Sequence, residues 1–313
     1  MTEPGEVQAG GRRVEVPRPE KLLFPGDGLR KMDVARYYLQ AAPLMRPFLA
    51  GRPLVLQRFP DGIQEEGFYQ KRPSEHFPAW LPRVEAPLAE GGSITMLQAR
   101  DAAALVYLAA QGVVTFHAWL SREEDLPHPD QVVWDLDPPP RGGFGLVRDA
   151  ARRLGELLEK LGLAPFVKTT GSRGLHVVCP LRTGPDYERT RDFARRVAEL
   201  LASRHPDRLT TAPRLKARGN RLFLDYLRNG LGQTAVAPYS LRALPGAPVA
   251  APLDWGELER GDLTAQTYNL TNIFRRMGQK EDPWRDLWRH ARSLDGPREA
   301  LAGAADQEGR ERG

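Results

Sequence analysis

Val132-Val133-Trp134-Asp135-Leu136-Asp137-Pro138-Pro139-Pro140 runs three apolar residues into two carboxylates and then three prolines. A short apolar run ended by breakers is predicted to be a buried strand. Side chains two apart on a strand share a face, so Asp135 and Asp137 point the same way at the strand's end. Two like charges held close resist joint ionisation unless a cation lies between them. Carboxylates are the hard oxygen ligands that Mg²⁺ and Mn²⁺ favour. One reading is therefore a divalent-metal site. The other is a strand end with two solvated carboxylates, which is the commoner meaning of a bare D-x-D. Pro138 to Pro140 then turn the chain away.

Downstream, residues 144 to 161 carry Val147, Ala151, Leu154, Leu158 and Leu161 along one helical stripe, and Gly162 ends it. A second strand over Pro165 to Thr170 leads into Gly171-Ser172-Arg173-Gly174-Leu175-His176 and an apolar run to Pro180. Strand, helix, strand is an α/β crossover. Two glycines let backbone N–H groups approach an anion. Thr169, Thr170 and Ser172 add hydroxyls, Lys168 and Arg173 add charge, and His176 adds a further donor. The loop is not a P-loop, since it lacks Gly-x-x-x-x-Gly-Lys-Ser/Thr and precedes a strand. Taken alone it reads as a glycine-containing hairpin turn. After a helix over Asp186 to Arg204, the run Leu222-Phe223-Leu224-Asp225-Tyr226-Leu227 buries a third carboxylate, costly unless paired or metal-bound.

Upstream, residues 1–16 are polar and Gly-rich and are predicted to be a flexible tail. Lys21 and Lys31 flank a turn-rich entry. Asp33 is predicted to cap a helix from Val34 to about Leu49, with Pro43 as a kink. Leu54 to Phe59 reads as a strand. Phe68-Tyr69-Gln70-Lys71-Arg72 is either an ordinary strand with one ring buried, which spacing favours, or a stacking ring beside phosphate ligands. Asp101 to Gln111 reads as a helix and Val113 to Trp119 as a strand; its lone His117 is more often structural. Asp282-Pro283 opens a predicted helix with Trp284, Leu287 and Trp288. Residues 296–313 are predicted to be a disordered tail, leaving one domain over 17–295.

The chain has 313 residues, and its 41% hydrophobic and 27% charged content is ordinary for a globular protein. It has no apolar run of about 18 residues, so no membrane span is expected. The N-terminus lacks a signal peptide pattern. The single cysteine, Cys179, excludes an internal disulfide and a multi-Cys zinc site. A cytoplasmic protein follows. The net charge is +5, and 38 of the 45 basic residues are Arg. Arg suits phosphate, though genome composition explains its abundance equally well.

Together these motifs resemble the primase-polymerase module of bacterial DNA ligase D, in the archaeo-eukaryotic primase superfamily. The resemblance covers about Pro19 to Gly278. It rests on Lys21-Leu-Leu-Phe-Pro with Lys31, Arg58-Phe-Pro-Asp-Gly with Gly67-Phe-Tyr-Gln-Lys-Arg, Asp135-Leu-Asp137-Pro, Thr170-Gly-Ser-Arg-Gly-Leu-His176, Asp225-Tyr-Leu-Arg-Asn and Gly232 to Arg242 with Pro245-Gly-Ala. It implies a mixed α/β primase-like fold, with mostly antiparallel or mixed sheets flanked by helices and an active site between two sheets. It implies that Asp135, Asp137 and Asp225 hold two Mn²⁺ or Mg²⁺ ions. Thr170, Gly171, Ser172, Arg173, Gly174, His176 and Arg242 would hold a nucleoside triphosphate. Lys21 and Lys31 would grip a DNA 5′-phosphate. Phe68 or Tyr69 and His117 would stack on or border the templating base and nucleotide. Thr170 and Arg173 depart from the family's usual Ser and Lys but keep the donor and the charge; Gln57 stands where a basic residue is frequent. The implied activity is template-directed addition of ribo- or deoxyribonucleotides at DNA ends and gaps in end joining, with Ku and a separate ligase as partners and a cytoplasmic, nucleoid-associated location. The length leaves no room for an adenylating domain, so the chain is read as stand-alone or excised.

Three rivals remain. A haloacid-dehalogenase-type phosphatase also ends a strand in D-x-D, but expects Thr or Val where Pro139 stands. A D-x-D glycosyltransferase accounts for neither the Thr170 loop nor Asp225. A non-catalytic module binding 5′-phosphorylated DNA ends would need only Lys21, Lys31 and a basic surface.

Overall fold

The computed structural model describes residues 5–182 and 184–311. The chain forms two compact units. The first takes the chain up to Leu126 with Thr234–Ala251 and Gln266–Asp282; the second takes Pro127–Gln233, Pro252–Ala265 and the chain from Pro283.

The chain opens with a hairpin of β1 (Gly5–Ala9) and β2 (Arg12–Val16), not the expected tail. Val7, Ala9, Val14 and Val16 alternate with polar residues and are buried, a period-two signal that the Gly-rich composition obscured. Of that tail only residues 1–4 lie outside the described residues. A second hairpin, β3 (Leu22–Phe24) and β4 (Leu29–Arg30), leads into α1 (Lys31–Leu49). That helix starts before the predicted Val34, because Arg30 is its cap and Asp33 accepts the Arg30 backbone N–H at 2.8 Å. Pro43 lies within the helix without ending it. There follow β5 (Leu54–Arg58), β6 (Phe68–Gln70), β7 (Arg83–Pro87), β8 (Ser93–Leu97), α2 (Ala102–Ala110) and β9 (Val113–Trp119).

The second unit begins with β10 (Gln131–Asp137), α3 (Phe144–Lys160), β11 (Phe166–Thr169), β12 (Leu175–Pro180), α4 (Tyr187–Arg204), β13 (Leu209–Thr210), α5 (Leu215–Arg218) and β14 (Leu222–Asp225). Then β15 (Thr234–Val236) joins the first unit and β16 (Pro252–Leu253) the second; α6 (Ile273–Met277) belongs to the first and α7 (Asp295–Glu311) to the second. The expected disordered end is instead helical over Asp295–Glu311, with the helix's own Leu301 buried, and residues 312–313 lie outside the described residues. The helix expected at Asp282-Pro283 is instead irregular chain and a short 3₁₀ turn at Leu287–His290. Trp284 is tied to the sheet there, its indole donating to the Val167 carbonyl at 3.1 Å.

The first unit's main sheet runs β15-β9-β5-β8-β7, with β6 also on β5. The second unit's runs β13-β14-β10-β12-β11-β16, antiparallel except for β13 with β14. The predicted crossover is present but split. β10 and β11 point the same way, and β12 fills the gap between them. Trp134 and Leu136 face the helices. The Trp134 indole donates to the Ala194 carbonyl of α4 at 2.9 Å, and truncating this fully buried ring would cost about 3–5 kcal/mol. Asp135 and Asp137 therefore project from the opposite face.

Candidate active site

In the second unit a polar row crosses four strands. Asp225 on β14 stands directly opposite Asp135 on β10, Asp135 opposite His176 on β12, and His176 opposite Lys168 on β11. Opposed residues of antiparallel strands share a face, with Cβ atoms about 4.5–5.5 Å apart. His176 and Lys168 are buried, while the Asp135 and Asp225 side chains keep 18% and 14% exposure. Asn229 holds β14 in this register just past its end. Its side chain accepts from Val133 N at 2.8 Å and donates to Val133 O at 2.7 Å, taking the place of a strand neighbour.

The charges along the row set one another. Burial raises the Asp225 carboxyl above its usual range, and the Asp135 charge adds to this; the Leu227 N–H and Arg228 oppose it. Burial would raise Asp135 too, but His176, Arg228 and Lys168 outweigh it and hold that carboxyl well below its usual range. Burial and the Lys168 charge push His176 down to about 4, against the pull of Asp135. His176 is therefore neutral at neutral pH. Its Nε2 lies 3.6 Å from Asp135 Oδ2, a Coulombic contact rather than a hydrogen bond. Its Nδ1 is buried without a hydrogen-bond partner among the described residues.

Asp137 lies two residues on, on the same face. Arg173 donates to its Oδ1 at 2.9 Å, and Arg218 to its Oδ2 at 3.0 Å. Arg228 Nε stands 3.6 Å from both Asp135 and Asp225. The three carboxylates are thus matched by three guanidiniums. With Asp137 turned to its arginines, no three acidic, His or Cys side chains among the described residues converge to hold one ion.

The Thr170 loop is tied internally. The Thr170 hydroxyl donates to Gly174 O at 3.1 Å and accepts from Ser172 N and Gly174 N at 3.2 Å each. Gly171 has φ 65°, the left-handed turn. Gly174 is needed for a different reason: a Cβ there would lie 2.1 Å from the Leu136 carbonyl oxygen. A cavity of about 530 Å³ adjoins Asp137, and its walls include Pro138, Pro139, Pro140, Arg141 and Arg221. The prolines do more than turn the chain, because they line this opening.

The other sequence-predicted residues lie in the first unit. Lys21 and Lys31 meet at the open end of the β3–β4 hairpin, where Lys31 N donates to Lys21 O at 2.8 Å. Lys21 pairs with Asp61, and Lys31 Nζ donates to Pro17 O at 2.9 Å. Burial, then Arg18, Lys21 and Arg58, lower the Lys31 pKa to about 8. Phe68 and Tyr69 are 47% and 60% exposed, so the reading with one buried ring fails. The Tyr69 ring meets His117 edge-on at 5.8 Å. Arg242 sits just past Ser240, whose hydroxyl accepts from Phe116 N at 2.9 Å. The sequence alone assigned no role to Arg218, Arg228 or Asn229; the polar cluster flanking Asp225 was the available signal.

The family described as LigD, primase-polymerase domain, matches residues 30–284. The chain is 33% identical over 284 residues to the multifunctional non-homologous end joining protein LigD of Pseudomonas aeruginosa, covering 90% of this chain and 34% of that protein. It is 30% identical over 274 residues to the bifunctional non-homologous end joining protein LigD of Bacillus subtilis, covering 87% of this chain and 43% of that protein. The chain thus spans well under half the length of these relatives. A solved polymerase domain from Mycobacterium tuberculosis ligase D, in complex with DNA, superposes with a TM-score of 0.84 at 29% identity, covering 89% of this chain and 99% of that one. The resemblance read from the motifs, and the mixed α/β fold it implied, are borne out.

Proposed function

The chain belongs to the LigD primase-polymerase domain family, and on that premise we propose that it is a template-directed nucleotidyltransferase acting at DNA ends and gaps in non-homologous end joining. One observation carries the reading: Asp225, Asp135 and His176 stand in register on three neighbouring strands, with Asp137 two residues along. Three hard carboxylate donors on one sheet face fit a pair of divalent ions, Mn²⁺ or Mg²⁺. Bound there, such ions would neutralise and polarise the attacking and leaving oxygens of a phosphoryl transfer.

The chain's own residues do the positioning. Asp135 is ionised at neutral pH. Asp225 holds its charge less readily than a solvated carboxylate, and a nearby cation would offset that cost. Asp137 becomes a ligand only when Arg173 and Arg218 turn from it, and that movement offers both guanidiniums to triphosphate oxygens. Ser172 and the Thr170–Gly174 backbone present donors at the same edge. Neutral His176 keeps one N–H to donate without adding a charge that would compete for Asp135. In the first unit, Lys21 and Lys31 suit a DNA 5′-phosphate, exposed Phe68 and Tyr69 suit base stacking, and His117 and Arg242 suit the nucleotide. The partners are nucleoside triphosphates, DNA, Ku and a ligase.

The test offers gapped DNA with a 5′-phosphate, Mn²⁺ and labelled ribonucleotides. Template-directed extension in the parent, absent in Asp137→Ala, supports the polymerase. DNA binding without extension under any metal would leave the end-binding module, the reading that the Lys21–Lys31 cluster alone would favour.

A further inference from the structure

The positive charge of this chain is concentrated. Between Arg204 and Arg221 stand six basic residues, Arg204, Arg208, Arg214, Lys216, Arg218 and Arg221, against one carboxylate, Asp207. That excess of five equals the +5 of the whole chain, so the remaining 39 cations and 39 carboxylates balance.

The segment bends around the edge of the second unit's sheet. Its far part, Arg214 to Arg221, includes Arg218 at Asp137 and walls the cavity there. Leu215 lies among these cations at 72% exposure. Its near part turns onto the helix side. There Arg208 and Arg153 of α3 share a single carboxylate, Asp149, at 2.9 and 3.0 Å. Arg153 also stands 3.4 Å from His205 Nε2. The two parts are joined, since Leu222 N donates to Arg208 O at 2.8 Å and Arg221 Nη1 to Pro206 O at 3.5 Å. Arg153 and Arg208 keep 40% and 49% exposure. Like charges gathered around one carboxylate repel one another, and a chain of phosphates would relieve that repulsion.

We infer that Arg153 and Arg208 form a second phosphodiester-binding site, away from the metal edge, for the upstream part of the primer strand. The site rests on the polymerase reading: a primer whose 3′ end lies at Asp135 and Asp137 must leave that edge with its backbone. The basic loop from Arg218 to Arg214 leads from there round β13 to the Asp149 cluster. From β10 to β13 is two strand spacings, about 10 Å. The cluster lies a further ~10 Å away, round the edge on the helix side, so at about 3.4 Å per phosphate along one strand it meets the primer about six nucleotides back from its end.

The test measures binding and extension for primers of two to ten nucleotides on one template, with the 5′-phosphate end held constant. The parent should gain affinity as the primer reaches about six nucleotides. Arg153→Ala with Arg208→Ala should abolish that gain, lower the log–log salt slope by about 1–2, and leave two-nucleotide primers unaffected. Asp149→Asn, which deletes the one carboxylate, should strengthen the gain; a cluster serving only the fold would lose stability with binding unchanged. A parent that extends primers with no length dependence overturns this site and leaves the polymerase intact. Equal losses on short and long primers overturn it as well. If nothing is extended the polymerase reading fails, while the binding arm still reports on the site.

Discussion

His176 faces Asp135 across neighbouring strands, with Nε2 3.6 Å from Oδ2 and the imidazole buried and neutral. This makes the metal-free fold acid-sensitive in a defined window. The unfolded histidine takes a proton near its ordinary 6.5, whereas the folded one resists until about 4. The stability is therefore complete above pH 6.5 and is lost as the pH falls toward 4. The size follows from the shift, on the order of 3 kcal/mol. Urea unfolding in chelator at pH 7.5 and 4.5 should show this loss in the parent and much less of it in His176→Gln. Equal losses in the two proteins would refute the buried neutral imidazole.

Asp225 is buried directly opposite Asp135, and burial first, then the facing charge, raises its carboxyl. Asp225→Asn removes the repulsion while keeping the shape. The metal-free variant should be as stable as the parent at pH 7 or more so, and extension should fall at least about 100-fold, as expected when several kcal/mol of transition-state charge stabilisation go. Denaturation and single-turnover extension, run side by side, separate the two effects. A destabilised variant with retained activity would mean that Asp225 serves the fold.

Lys31 is a buried ammonium among Arg18, Lys21 and Arg58, with its pKa lowered to about 8. As pH rises through 8 it loses the charge that a 5′-phosphate would need. The affinity ratio for phosphorylated over unphosphorylated ends should therefore fall between pH 7 and 9. Lys31→Arg should flatten that fall, since Arg stays charged. Fluorescence anisotropy over that range reads the ratio directly; a ratio constant to pH 9.5 in the parent would remove Lys31 from the phosphate site.

How much of this was legible depended on the range of the signal. Asp135, Asp137 and Asp225 could be read because each carboxylate breaks an apolar run, a local anomaly. The α3 stripe and its Gly162 stop were equally local. The pairing of Asp137 with Arg218, 81 residues away, has no local signature. Nor does the Asn229 bridge to Val133, 96 residues away. The Gly5 hairpin failed for another reason: its alternation was visible, but a Gly-rich composition was given more weight than a period of two.

Gly171 and Gly174 look alike in sequence, yet the structure asks different things of them. Gly171 needs its left-handed turn, φ 65°, so Gly171→Ala should cost about 1–2 kcal/mol. Gly174→Ala would drive a Cβ to 2.1 Å from Leu136 O, a backbone atom that cannot rotate aside. Relief requires β12 to part from β10, and that pair is the one that sets His176 against Asp135. The cost should reach about 3 kcal/mol or more, and extension should fall with it. Thr170 supplies the control. Thr170→Ser keeps the hydroxyl that holds Ser172 and Gly174 and should keep activity, while Thr170→Val strands those donors at about 1–3 kcal/mol. Urea unfolding and Mn²⁺-dependent extension on the four variants give the order. If Gly174→Ala proves no worse than Gly171→Ala, the loop is held by something other than its close approach to β10.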